Sequence, residues 1–319
     1  MNKELLPPHV QLAVMSREYV VSRAIHAIAH LGLADHMSDQ PKSVIELAQL
    51  TGTIPDLLDR LLTFLTDYGL FIKEGEAYAL TSLSYPLRQD NPNSIKDILG
   101  MFDESWWQAF SQLETSLKTG IPAFKYQHGT EFYEFMNNNP EKKADYEKGM
   151  AKLSKRDDDL IAQHFDFGQF STLIELGYGR KGLAEAIKKH HPDVQIDINP
   201  FIPELIKKEH DSSFSNLPKA DAYILKGILH DFNDKIIAKL LKDIRNSMKS
   251  KGSLIIAEQA IPNNHVPHTN KTMDIIMMVL VGGRQRTVNQ WCELVESTGF
   301  NLKLITPTEG MFTLIEFQN

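Results

Sequence analysis

A histidine beside an aspartate, a glutamate at the end of an apolar run, and a short glycine loop are the groups in this chain best suited to chemistry. His230 and Asp231 stand in Leu229-His230-Asp231-Phe232-Asn233-Asp234, just after the apolar run Ala222-Tyr223-Ile224-Leu225-Lys226. Glu258 closes the next apolar run, Ser253-Leu254-Ile255-Ile256-Ala257. Neighbouring parallel strands lie about 4.8 Å apart, so His230 and Glu258 would project into one pocket if these runs pair. A carboxylate beside an imidazole raises its basicity and fixes its orientation, which a general base requires. The third group is Glu175-Leu176-Gly177-Tyr178-Gly179, directly after Thr172-Leu173-Ile174. Glycines there let the backbone turn tightly and approach a cofactor, with an acidic group close by.

These groups need a scaffold that gathers strand ends. From Ser171 onward, short apolar runs alternate with helical patterns, which predicts an α/β, doubly wound, Rossmann-like sheet with helices on both faces. Such sheets bind ligands beyond the carboxyl ends of their strands. A second strand is expected over 194–198, a helix over 235–249 with Asn233 or Asp234 as its cap, and another helix over 288–297. The runs 301–305 and 311–317, turning at Glu309-Gly310, read as an antiparallel pair.

Upstream the pattern changes. Residues 10–88 read as three short helices followed by a hairpin turning at Glu74-Gly75-Glu76, which is a winged-helix arrangement. Ser43 and Glu46 have the spacing of a capping box. Residues 1–90 hold seven Lys/Arg against eleven Asp/Glu, the wrong balance for reading DNA, so this leucine-rich module is expected to pack against a second subunit. Residues 93–167 read as helical and aromatic, suited to covering a pocket. The expected division is a winged-helix-like dimerisation domain at 1–92, a helical connector and pocket cover at 93–167, and a Rossmann-like domain at 168–319.

Length and composition agree with a globular chain of more than one domain. There are 319 residues, 42% hydrophobic and 24% charged, against a prior of about 150 residues per domain. The net charge of −7 gives no reason to expect nucleic acid or an anionic membrane as partner. One cysteine, Cys292, excludes an intramolecular disulfide and a Cys-rich zinc site and fits a reducing cytoplasm. Lys3-Glu4-Leu5-Leu6-Pro7-Pro8 does not read as a secretory leader, and no metal site is expected.

Taken in order, these residues resemble the small-molecule O-methyltransferase family that includes the caffeic acid and hydroxyindole enzymes. Leu31-Gly32-Leu33-Ala34-Asp35, Glu46-Leu47-Ala48 and Tyr78-Ala79-Leu80-Thr81 are similar to that family's dimerisation domain. Leu225-Lys226 and His230-Asp231-Phe232-Asn233-Asp234 resemble its catalytic signature, with Phe232 where Trp is usual. Glu258 and the stretch Gly282-Gly283-Arg284-Gln285-Arg286-Thr287 are similar to its two later motifs. The resemblance implies a homodimer that methylates a hydroxyl of a small, aromatic molecule with S-adenosylmethionine. His230 would be the general base, supported by Glu258 and Gln285. Glu175, Gly177, Gly179, Asp197, Phe214 and Lys226 would bind the cofactor, and Trp107, Met150, Asp274 and Met278 would line the substrate pocket.

The sequence departs from that pattern in the cofactor loop, where Tyr178 and Lys181 take two glycine-type positions and Gly182 comes one residue late. A side chain at 181 would crowd the cofactor and repel its positive charges. Asn199-Pro200 competes with Asp197 for the ribose-binding register, and Gln285 replaces a Glu that helps hold the histidine. Two alternatives follow. One is the same fold without methyl transfer, serving another reaction or a non-catalytic binding role. The other reads Gly177, Gly179 and Gly182 as a dinucleotide loop of a dehydrogenase, and gives His230, Glu258 and the first domain nothing to do.

Overall fold

A computed structural model of the chain describes residues 6–37, 40–200 and 217–319. It divides into two compact units, one running through Asp103 and adding Glu141–Lys152, the other made of Glu104–Pro140 and Leu153–Asn319. The stretch 93–167 is therefore shared between them.

The first unit carries α1 (Pro8–Met15), α2 (Tyr19–His30), β1 (Lys42–Ser43), α3 (Val44–Thr51), α4 (Pro55–Thr66), β2 (Phe71–Glu74), β3 (Ala77–Leu80) and α5 (Lys96–Gly100). Ser43 caps α3 through Glu46, each side chain bonding the other's backbone N–H, and Gly52 ends the helix in the left-handed region. Pro55 opens α4, where its missing N–H costs nothing. The three strands form an antiparallel sheet in the order β1-β3-β2. Ile28, Leu33, Leu47, Leu62, Leu65 and Tyr78 fill the core. Leu12, Met15, Tyr19, Ile45, Ile54 and Leu57 remain exposed.

The second unit begins with α6 (Glu104–Phe110), α7 (Leu113–Thr119), α8 (Ala123–His128) and α9 (Phe132–Asn138), and α10 (Pro140–His164) runs into it from the first. Then come β4 (Thr172–Leu176), α11 (Gly182–His190), β5 (Gln195–Asn199), β6 (Ala222–Lys226), α12 (Asp234–Ser247), β7 (Ser253–Glu258), α13 (Thr269–Leu280), α14 (Val288–Glu296), β8 (Asn301–Pro307) and β9 (Thr313–Gln318). The sheet order is β5-β4-β6-β7-β9-β8. The first four strands are parallel, and β9 and β8 run antiparallel to their neighbours.

Alternation along each strand divides the core between two faces. Tyr223, Leu225, Leu254 and Ile256 pack with Ile237, Leu240 and Ile244 of α12 and Trp291 and Val295 of α14. Leu173, Ile224, Ile255 and Ala257 pack with Leu183 and Ile187 of α11 and Ile161 of α10. At about 1.5–3 kcal/mol for each fully buried Leu or Ile, these two layers hold the strand ends rigid. Beyond β9, β8 is an edge strand whose register slips between Leu302 and Leu304. Among the described residues no helix is long and apolar enough to cross a membrane.

The chain leaves β4 toward β5 and returns across β4 to lay down β6. Strand order therefore reverses between β4 and β6, which opens a crevice at their carboxyl ends. The glycine loop follows one of those ends and His230 the other.

Candidate active site

Just past the end of β6, Gly227 takes φ +57° and its N–H donates to the Ala257 carbonyl at 2.9 Å. That turn delivers a single 3-10 turn, Leu229–Asp231, beside the end of β7. Glu258, fully buried, ends β7 and organises the turn with both oxygens. Its Oε1 accepts the backbone N–H of Ile228 at 3.1 Å and of Leu229 at 2.8 Å, while Oε2 lies 2.7 Å from His230 Nδ1. A proton held on Nδ1 leaves the Nε2 lone pair to act as acceptor. Burial opposes a charge on this ring. The Glu258 carboxylate, by charge and hydrogen bond, and then Asp231 outweigh that and push His230 up to about 9, with Arg286 opposing.

A loop between α13 and α14 backs the turn. Arg284 N–H donates to the His230 carbonyl at 2.7 Å. Arg286 donates to Asp234 at 2.9 Å and to the Phe232 carbonyl at 3.1 Å, with Trp291 under its guanidinium. Gly283 lies so close that a Cβ would overlap the His230 carbonyl oxygen and press on the Asp231 Cα. Gly283→Ala should therefore destabilise the protein by about 1–3 kcal/mol and displace the histidine. Thermal unfolding and turnover measured on the same preparation would check this; unchanged values for both would show that the loop yields freely.

Gln285, expected to help hold the histidine, is placed differently. Its backbone N–H donates to Asp274 Oδ1 at 2.8 Å, and its side-chain amide is buried with no hydrogen-bond partner among the described residues. Glu258, not Gln285, holds the imidazole. The same bond shows that Asp274, on α13, spends one oxygen on that loop.

At the other side of the crevice, Glu175 lies on the buried end of β4. The Ala184 N–H donates to its carboxylate, while Oε2 is buried with no hydrogen-bond partner among the described residues. Burial, then the nearby Asp158, push Glu175 up to about 7, against the pull of Lys226. Asp158, from α10, pairs with Lys226, and the Lys226 ammonium also donates to Ser154 Oγ at 2.7 Å. A Cβ on Gly177 would meet only the Ile228 side chain at 3.8 Å, and Gly179 takes φ +79°. An orphaned carboxylate oxygen beside an uncrowded glycine backbone suits a ligand carrying positive charge and hydrogen-bond donors. These residues fit S-adenosylmethionine.

The side chain expected to crowd the cofactor does not fill the loop. Lys181 is exposed at the start of α11, and Tyr178 reaches across to Asp231. Asp197 is exposed and pairs with Ile174, whereas Ile198 pairs with Glu175, so alternation puts Asp197 on the opposite sheet face from Glu175. Phe214 lies outside the described residues. Trp107 on α6 and Met278 on α13 are half-buried on two helices that pack together. Met150 belongs to the part of α10 grouped with the first unit.

Sequence reasoning missed Asp158 and Ser154, and it missed Tyr133, which donates to Asp231 at 2.8 Å. Asp158 sits in Arg156-Asp157-Asp158-Asp159, which reads as a solvated charge run. Its one usable signal is the four-residue spacing from Ser154, which places both on one helix face.

Comparison with known proteins decides what this crevice belongs to. A model of the O-methyltransferase domain matches residues 110–301, and one of the O-methyltransferase dimerisation domain matches residues 14–89. The chain belongs to the O-methyltransferase family. As a member, it is a methyltransferase enzyme with S-adenosylmethionine as cofactor and a Rossmann-like catalytic domain. It is similar to the phenazine O-methyltransferase of Lysobacter antibioticus, with 28% identity covering 96% of this chain and 94% of that one. It is also similar to the 3-amino-4-hydroxybenzoate 4-O-methyltransferase of Streptomyces cremeus, with 29% identity covering 89% and 83%. Among solved structures, a methyltransferase of calicheamicin biosynthesis in its S-adenosylhomocysteine-bound form has TM-score 0.83, 26% identity and 97% coverage of both chains. Human N-acetylserotonin methyltransferase, at 20% identity and TM-score 0.84 over 100% of this chain and 99% of its own, shares the fold.

Proposed function

We propose that this O-methyltransferase methylates a hydroxyl of a small aromatic molecule, with His230 Nε2 taking the proton. The 2.7 Å contact between His230 Nδ1 and Glu258 carries the proposal. Glu258 is anchored by two backbone N–H groups through its other oxygen, so it fixes both the tautomer and the ring orientation. Nε2 would take the hydroxyl proton, which leaves the substrate oxygen able to receive a methyl group whose bond to the cofactor sulfur breaks in the transfer. S-adenosylmethionine, when bound, supplies an electrophilic methyl on a sulfonium whose charge lowers the proton affinity of a nearby imidazole. Glu175, Gly177 and Gly179 would hold it, and Trp107, Asp274 and Met278 would orient the acceptor. An aromatic acceptor is supported by the phenazine and hydroxybenzoate relatives.

The matched dimerisation domain and the exposed apolar side chains of α1, α3 and α4 support a homodimer built on a winged-helix-like first unit. The lone cysteine suits a cytoplasmic setting.

Calorimetric titration with S-adenosylmethionine and S-adenosylhomocysteine, followed by transfer of labelled methyl to a panel of phenols, tests the reading. Micromolar binding and phenol methylation are expected; absence of binding to both compounds would leave a methyltransferase fold in another role. Affinity for S-adenosylmethionine should also follow Glu175. Its carboxylate loses a proton as pH rises through about 7, so attraction for a cationic ligand grows in that direction. Dissociation constants should fall by about tenfold from pH 6 to pH 8, and Glu175→Gln should flatten that dependence. A pH-independent affinity in the unmodified protein would remove Glu175 from the cofactor site.

A further inference from the structure

Tyr178 stands in the glycine loop after β4, yet its side chain leaves the loop. Its hydroxyl donates to Asp231 Oδ2 at 2.5 Å, and the same oxygen accepts the Tyr133 hydroxyl of α9 at 2.8 Å. The two hydroxyls lie 3.2 Å apart, and the rings meet at 37° with centroids 5.8 Å apart. The other Asp231 oxygen, Oδ1, is 3.5 Å from His230 Nε2, the nitrogen that has to accept the substrate's proton. Asp231 is nearly as buried as the core, with 6% of its side chain exposed.

This geometry poses a problem for a base. A buried carboxylate beside Nε2 favours the protonated ring, and Glu258 on the opposite nitrogen already favours it. Anything that concentrates charge on Asp231 makes the imidazolium harder to discharge. Two phenol donors on Oδ2 disperse that charge through strong, charge-assisted hydrogen bonds. They also fix the rotation of the carboxylate, and hence where Oδ1 stands relative to Nε2.

We propose that Tyr178 is a positioning residue for His230, acting through Asp231: its hydroxyl shares the charge of the carboxylate beside Nε2 and pins it, so that glycine loop and base are set as one unit. The inference rests on the reading of His230 as the base. It also gives the departure at 178 a purpose, since a glycine there could make no such bond. The charged groups acting on the ring are Glu258 from β7, Asp231 from its own turn and Arg286 from the loop before α14. Tyr178 and Tyr133 both reach Asp231, and the Arg180 guanidinium lies over the Tyr178 ring.

The test is an NMR titration of the unmodified protein, carrying carbon-13 histidine, with the His230 signal assigned by its loss in His230→Asn. Tyr178→Phe keeps the ring and removes the hydroxyl. It should move the His230 midpoint upward by about half a unit, because the undispersed carboxylate holds the imidazolium more tightly. Tyr133→Phe removes the other donor to the same oxygen and should shift the midpoint in the same direction. It reads the same effect should the substitution at 178 disturb the loop. In an Asp231→Asn background, Tyr178→Phe should have no further effect on the midpoint. An unmoved midpoint in both phenylalanine variants overturns the proposal, as does a shift that persists without the Asp231 charge. The titration needs neither acceptor nor cofactor. A protein that bound neither S-adenosylmethionine nor S-adenosylhomocysteine would defeat the functional reading and leave this measurement readable.

Discussion

His230→Asn should lower methyl transfer by roughly 10²–10⁴-fold, the usual contribution of a positioned general base, while binding of S-adenosylhomocysteine stays within about twofold. Asparagine keeps a polar group in the turn but offers no basic nitrogen at the position of Nε2. The glycine loop is tied to this turn through Asp231, which the substitution leaves in place, so the cofactor residues should be undisturbed. Single-turnover transfer and calorimetry on the same protein separate the two effects. Turnover that survives intact would remove His230 as the base; loss of cofactor binding alongside would mark the substitution as structural. The same assignment fixes the sign of the pH dependence. The base works when neutral, and the ring is pushed up to about 9 in the free protein. Because kcat/KM reports the free enzyme, it should rise by about tenfold per pH unit below that value and then level.

Glu258→Gln should cost as much by a different route. One carboxylate oxygen now serves two backbone N–H groups and the other serves His230 Nδ1. An amide has a single acceptor oxygen. If that oxygen stays with the backbone, its NH2 group faces Nδ1 and drives the ring proton to Nε2, where the lone pair is needed. Plateau activity should fall by roughly 10²-fold or more. The limb of the pH profile moves the other way from any loss of stability. Without the carboxylate, burial acts against the ring's charge with less opposition, so the midpoint falls and the limb shifts to lower pH. A profile unmoved from the unmodified protein would mean that Glu258 does not set the basicity of His230.

How much of this was legible in the sequence depends on the range of the interaction. His230 and Glu258 could be found because two consecutive apolar runs became adjacent parallel strands, and strand ends in such a sheet converge. The capping residue Ser43, the hairpin at Gly75 and the helix following His230 were legible for a similar reason, since each is a local pattern, and of the two caps left open for that helix the structure uses Asn233. What escaped were contacts made by side chains across elements. Beyond its spacing from Ser154, Asp158 carries no signal that sets it apart in a run of charged residues, and only packing against the sheet shows it buried beside Lys226. Tyr178 read only as a departure from a glycine-type position; its reach to Asp231 depends on where α9 and the His230 turn come to rest. Gln285 was expected at the histidine on motif position alone, and its side chain makes no hydrogen bond to it among the described residues.

The outer edge of the large sheet bears on how the protein behaves at high concentration. An exposed strand end to end with open N–H and C=O groups can template another chain, and Leu302, Leu304 and Ile305 make β8 apolar enough to invite it. The slipped register between Leu302 and Leu304 breaks the regular spacing of donors and acceptors, Lys303 places a charge in the middle, and Pro307 closes the strand without a donor. The margin is thereby guarded against fibrillar stacking, and replacing Pro307 with a residue that carries an N–H should make the protein more precipitation-prone; Lys303 also pairs with the buried Glu316, so its loss would disturb the interior as well.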